Sequence, residues 1–138
     1  EMARKNPVQD EINVNDQRFL APASMINEIN AAVGRELTVG EMAYVIYNNL
    51  ARDYDLSLKA LETVADERYE TLNIIGGGSK NGLLNELTKA KTGKRIVTGP
   101  AEGTAIGNLV MQMVGTGTLS SVREGREIIK KSFDINEV

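Results

Sequence analysis

The chain has 138 residues and a mass of 15.0 kDa, and its 41% hydrophobic content is enough to build one core. It contains neither cysteine nor histidine, which excludes disulfides, thiolate and imidazole metal sites, and every nucleophile that leans on a histidine base. Its 16 basic and 19 acidic residues leave a net charge of −3 with no basic, aromatic-laced stretch, which argues against a nucleic-acid partner.

Residues 1–20 mix charge, Asn and isolated apolar side chains around Pro7 and read as an irregular lead-in. Pro22 suits the first turn of a helix whose Met25, Ile26, Ile29, Ala32 and Val33 form one apolar stripe, closed by Gly34. Thr38 with Glu41 has capping-box spacing, so a second helix starts there and runs to about Ala65. Met42, Ala43, Ile46, Leu50, Tyr54, Leu58, Leu61 and Ala65 recur at steps of three or four and mark its core face, with no cofactor role. At ~1.5 Å per residue such a helix exceeds ~35 Å and scaffolds the domain.

Past the charged break Asp66-Glu67-Arg68, Leu72–Ile75 is expected to be a short buried strand. Ser79 then caps a helix that turns Leu83, Leu84, Leu87 and Ala90 inward and ends in Lys89, Lys91 and Lys94, where cations favour the dipole. A second strand, Arg95–Thr98, completes a right-handed parallel strand-helix-strand unit. Pro100 opens the next helix with Glu102 in its first turn, as a helix-start carboxylate, and Ala105, Ile106, Leu109, Val110 and Met113 as its buried stripe. Gly103 and Gly107 read as a packing groove, since each weakens a helix by up to ~1 kcal/mol unless close approach compensates. Ser121 and Glu124 cap a last helix through about Lys131, ending near Phe133. A sheet of two short strands leaves open edges, which predicts a homo-oligomer.

The most informative stretch is Gly76-Gly77-Gly78-Ser79-Lys80-Asn81, where a strand empties into three glycines ahead of a helix. Glycines let a ligand approach the backbone, and the N–H groups and positive dipole end of a helix favour an anion. The loop lies at the carboxyl end of a parallel strand, the edge at which open α/β sheets bind ligands. The same pattern also serves as a mere chain reversal. A dinucleotide fingerprint fits only in its looser form, since Asn81 replaces one glycine and Gly82 follows; Thr98 and Gly99 stand where its acidic residue belongs. A Walker loop fails, because Thr88 occupies its first glycine and Arg95 follows Gly93-Lys94.

Taken together, Gly76 to Asn81 with Leu83-Leu84-Asn85, then Gly99-Pro100-Ala101-Glu102 with Thr104-Ala105 and Gly107-Asn108, resemble the FGGY carbohydrate kinase family. Upstream, Asp16-Gln17-Arg18-Phe19 with Pro22 and Met25 resembles the members that act on L-rhamnulose, and the likeness covers about residues 14–133. It implies an α/β fold: the helix-rich C-terminal part of an actin-like, ribonuclease-H-like ATPase domain with a small parallel sheet. It further implies that Gly77 and Asn81 lie against the nucleotide, with Gly76, Gly78 and Ser79 in the same loop and Asn85 behind them. ATP with Mg²⁺ and a sugar are the implied partners. Apart from the resemblance, the charge balance argues against nucleic acid, and the apolar runs fall far short of the roughly 20 residues of a bilayer span with no signal-peptide pattern at the start, so no membrane is expected and the chain reads as cytoplasmic. No catalytic or metal-binding residue carries over, because Asp10, Asp16, Asp53, Asp55, Asp66 and Asp134 sit in no setting like the family's catalytic aspartate. Glu1 in place of methionine reads as a processed or truncated chain, expected to be inactive alone. The competing reading is a stand-alone anion- or nucleotide-binding module.

Overall fold

A computed structural model of the chain describes residues 1–133 and 135–138, so Asp134 lies outside the described residues. These fall into two compact units, Glu1–Arg68 with Glu86–Gly93, and Tyr69–Asn85 with Lys94–Val138.

The first unit is helical. The lead-in is less irregular than its composition suggests: α1 spans Met2–Lys5, and a 3-10 turn covers Gln17–Phe19 with Asp16 accepting from the Arg18 N–H. Helix α2 is Met25–Val33. Its start differs from expectation, because Ser24 rather than Pro22 provides the cap, accepting from the Asn27 N–H at 3.4 Å. Gly34 closes it in the left-handed conformation, as its position foretold. Helix α3, Val39–Ala65, has 27 residues and opens on a complete Thr38/Glu41 capping box.

The buried face of α3 is not the expected stripe. Gly40, Val45, Asn48, Asn49, Ala51 and Leu58 are buried, whereas Leu61 is 54% exposed. Helix α1 packs against α3, and Gly40 is needed there: a Cβ would lie 2.5 Å from the Asn6 side chain. Asn49, 2% exposed, makes three hydrogen bonds, two of which hold the lead-in. Its amide donates to the carbonyls of Asp10 and Val45, both at 2.9 Å, and its Oδ1 accepts from the Ile12 N–H at 3.1 Å. A buried Asn is tolerated when its polar atoms are satisfied in this way.

In the second unit, β1 (Thr71–Ile74) and β2 (Arg95–Thr98) pair in parallel, Leu72 opposite Ile96 and Ile74 opposite Thr98. Ile96 is fully buried. The expectation of only two strands is corrected by β3, Asn136–Glu137, which lies antiparallel on the free side of β2. A two-residue strand carries no periodicity by which the sequence could announce it. Between β1 and β2 runs α4, Gly82–Thr92, whose first turn counts with the second unit and the remainder with the first. Its buried face is Leu84, Asn85 and Thr88, and Ala90 is exposed.

Helix α5, Gly103–Gly115, starts three residues after Pro100, so the proline precedes the helix instead of opening it. The proposed packing groove is absent: a Cβ on Gly107 would meet nothing within 4 Å, and one on Gly103 only Ile75 at ordinary distance. The close glycine is Gly125 of α6, Val122–Ser132, whose added Cβ would clash with Cγ1 of Val110 on α5. Ser121 caps α6 as expected, but the Glu124 carboxylate accepts from the N–H and hydroxyl of Ser120 instead. No helix among the described residues is long and apolar enough to cross a membrane.

Candidate functional site

Two strand-to-helix junctions meet at the carboxyl edge of β1 and β2. Leaving β1, the chain passes Ile75 and enters Gly76 at φ 82° and ψ −165°, a conformation essentially confined to glycine. Gly77–Lys80 then forms a 3-10 turn. Its carbonyls are engaged by the protein: that of Gly76 accepts from the N–H of Ser79 at 3.1 Å and from its hydroxyl at 2.7 Å, and that of Gly78 from the Asn81 N–H at 3.0 Å. The amides of Gly77 and Gly78 find no acceptor among the described residues. Both glycines are exposed.

Nothing in the chain itself requires glycine at positions 77 and 78. Neither has positive φ, and a Cβ on either would meet no other atom within 4 Å. What such residues offer is bare, donor-bearing backbone for a ligand to approach.

The start of α4 departs from the sequence reading. Asn81, not Ser79, is the capping side chain: its Oδ1 accepts from the Leu84 N–H at 3.1 Å, and its carbonyl from the Asn85 N–H at 3.0 Å. One turn on, Asn85 is 2% exposed and its Nδ2 donates to the Ser79 carbonyl at 2.9 Å. Its Oδ1 is buried with no donor among the described residues, at a cost of about 1–3 kcal/mol for such an acceptor.

The second junction leaves β2 through Gly99 and Pro100. It is tied to the first by two bonds, Gly99 N–H to the Ile74 carbonyl at 2.9 Å and Gly76 N–H to the Pro100 carbonyl at 3.3 Å. A Cβ on Gly99 would lie 3.0 Å from the Ile75 side chain, so this glycine keeps the two loops in contact. Glu102 sits at the cap position of α5 and makes no side-chain cap bond.

Beside these junctions is an open cavity of about 440 Å³. Ser79 and Lys80 line it from the first loop, residues 98–102 from the second, Ile106 from α5 and Phe133 from the end of α6. It therefore has a polar and charged side around Lys80 and Glu102 and an apolar side around Pro100, Ile106 and Phe133. Lys80 makes no ion pair among the described residues. The loop residues Gly76, Gly77, Gly78, Ser79 and Asn81 are contiguous in space as in sequence, and of these Ser79 lines the cavity.

Sequence reasoning named Lys80 and Phe133 without assigning either to the site they line. The first was legible as a cation inside the loop. The second had no signal, because nothing local reveals that a helix end will meet a strand edge. The aspartates are occupied elsewhere: Asp10 pairs with Arg35, Asp53 accepts from Asn15, Asp55 pairs with Lys59, and Asp66 ends α3 in the left-handed conformation.

Residues 12–116 match the model of the C-terminal domain of the FGGY family of carbohydrate kinases. The chain is 41% identical over 140 residues to a rhamnulokinase of Bacillus subtilis, covering 98% of this chain and 29% of that protein. It is 42% identical over 134 residues to the rhamnulokinase of Ligilactobacillus salivarius, covering 94% and 28% of the two chains. Likeness to the Enterococcus faecalis rhamnulokinase is also 42%, over 140 residues, 96% of this chain and 28% of the relative. The chain thus spans less than a third of the relatives it matches.

Proposed function

The chain belongs to the FGGY family of carbohydrate kinases, and on that premise we propose that it forms one wall of the ATP site of a two-domain kinase acting on L-rhamnulose. Its helix-rich α/β architecture with a small parallel pair suits the C-terminal part of an actin-like ATPase domain. The observation that carries the reading is the pair Gly77 and Gly78, bare of side chains without structural need and presenting amides that no described residue engages. Such amides at the end of a parallel strand suit the oxygens of a nucleotide phosphate. Ser79 and Lys80 add a hydroxyl and a cation beside them, and the apolar side of the cavity suits the nucleoside.

The part this chain plays is holding and orienting. Phosphoryl transfer joins the sugar hydroxyl oxygen to the γ-phosphorus, releases ADP at the bridging oxygen and moves the hydroxyl proton to a base. We assign that base and the sugar contacts to portions of the protein beyond this chain, which is inactive by itself. Magnesium travels with the nucleotide, while the loop offers N–H donors, which bind anions. Such an enzyme works where ATP is made, in the cytoplasm.

The test is a coupled assay of the full-length protein with ATP, Mg²⁺ and a panel of ketoses. L-rhamnulose should give the highest kcat/KM, and the 138-residue chain alone should give no turnover. Phosphorylation by the chain alone, or a full-length protein that ignores ATP, would overturn the proposal.

A further inference from the structure

Asn85 occupies a position that an apolar helix residue would fill at lower cost. It lies on the buried face of α4 beside Leu84, 2% exposed, and one of its two polar ends is left without a partner among the described residues. Buried polar groups are kept where the bonds they do make are needed. The bond it makes is Nδ2 to the carbonyl of Ser79, 2.9 Å away and six residues back, across the whole 3-10 turn.

That bond completes a pattern. Ser79 binds back to the carbonyl of Gly76 twice, Asn81 binds back to Gly78, and Asn85 takes the carbonyl of Ser79 itself. Acceptors of the loop are thereby drawn towards protein donors while the Gly77 and Gly78 amides keep none among the described residues. A loop of glycines has no side-chain packing to set its shape, so bonds of this kind must do so. Asn85 is the member of the set that reaches the loop from the rigid helix behind it.

Resting on the kinase reading above, we infer that Asn85 is a positioning residue for ATP: its carboxamide fixes the Ser79 peptide, and through it the aim of the glycine amides, without touching the nucleotide. It acts on ATP alone, since its carboxamide bonds to the glycine loop and the sugar contacts are assigned beyond this chain.

The experiment is steady-state kinetics of the full-length protein with Asn85→Leu and Asn85→Asp. Leu has similar bulk and removes the orphan acceptor along with the donor; Asp keeps the shape but, when ionised, exchanges the donor for an acceptor and adds a buried charge facing the Ser79 carbonyl. Both should raise the KM for ATP about tenfold or more, as misaimed groups do, with the KM for the sugar within about twofold. Asn85→Leu should melt close to wild type, because removing the orphan Oδ1 offsets the Ser79 carbonyl that loses its donor. An unchanged KM for ATP in a folded variant overturns the inference and leaves the kinase reading standing. Equal rises in both KM values, or failure of both variants to fold, make Asn85 a general structural residue and overturn it too. A wild type without ATP-dependent phosphorylation removes the kinase reading, and this inference with it.

Discussion

Gly76 and Gly77 are neighbours of one residue type, and the chain asks different things of them. Gly76 is held at φ 82° and ψ −165°, so Gly76→Ala should lower the unfolding free energy in urea by about 1–3 kcal/mol. Gly77 carries no such constraint and has open space around it, so Gly77→Ala should leave stability unchanged or raise it by about 0.4–1 kcal/mol through the unfolded chain. If Gly77 serves the nucleotide, a bulkier Gly77→Val in the full-length protein should raise the KM for ATP while the urea midpoint holds. A fall in stability without a change in KM would return Gly77 to a purely structural role. The glycine run was legible in sequence as a single object. The division of labour within it was not, because φ and the space around a Cβ depend on where Pro100 and Ile75 come to lie.

Helix termini were the most legible elements, since a cap is decided by residues three apart. Thr38 and Glu41 behave as their spacing says. The Thr38 N–H first, then its hydroxyl and the Arg35 guanidinium, hold the Glu41 carboxyl down at about 2. A carboxylate depressed on folding stabilises above its ordinary value of 4.5 and loses that contribution as pH falls through about 2. Acid titration of stability should therefore be shallower in Glu41→Gln than in wild type between those limits. Glu86, lowered by Arg4, and Glu124, lowered by Ser120, act with the same sign in both proteins and cancel from the difference. Helix faces were less legible than helix ends. The stripe drawn from Met42 to Leu61 has the right period but misses Val45, Asn49 and Ala51, because which side of a helix is covered depends on partners distant in sequence. The same holds for α5 and α6, where the tight glycine is Gly125 and not Gly107. Gly125→Ala pushes a methyl against Val110 and should cost about 1–3 kcal/mol, measured by thermal or urea unfolding; an unchanged Tm would mean that the two helices separate freely.

At the scale of the whole molecule, the family was legible because several motifs stand in order along most of the chain, while the sheet was not, since β3 is only two residues long. Large apolar side chains remain in water, among them Leu20 and Val64, each 87% exposed. One edge of the sheet, along β1, is unpaired among the described residues. Surfaces and edges of this kind attract partners, so the 138-residue chain alone should sediment as a dimer or larger species; a clean monomer at high concentration would show that they are tolerated bare.

The reciprocal bonds from Gly99 to Ile74 and from Gly76 to Pro100 lock the two turnings of the chain to each other, like a pair of crossed stitches. Neither can shift without dragging the other, so whatever tugs on the glycines also tugs on the root of α5. In hydrogen exchange the two amide protons should be lost together, as one opening event, and binding at one turning should slow exchange at both.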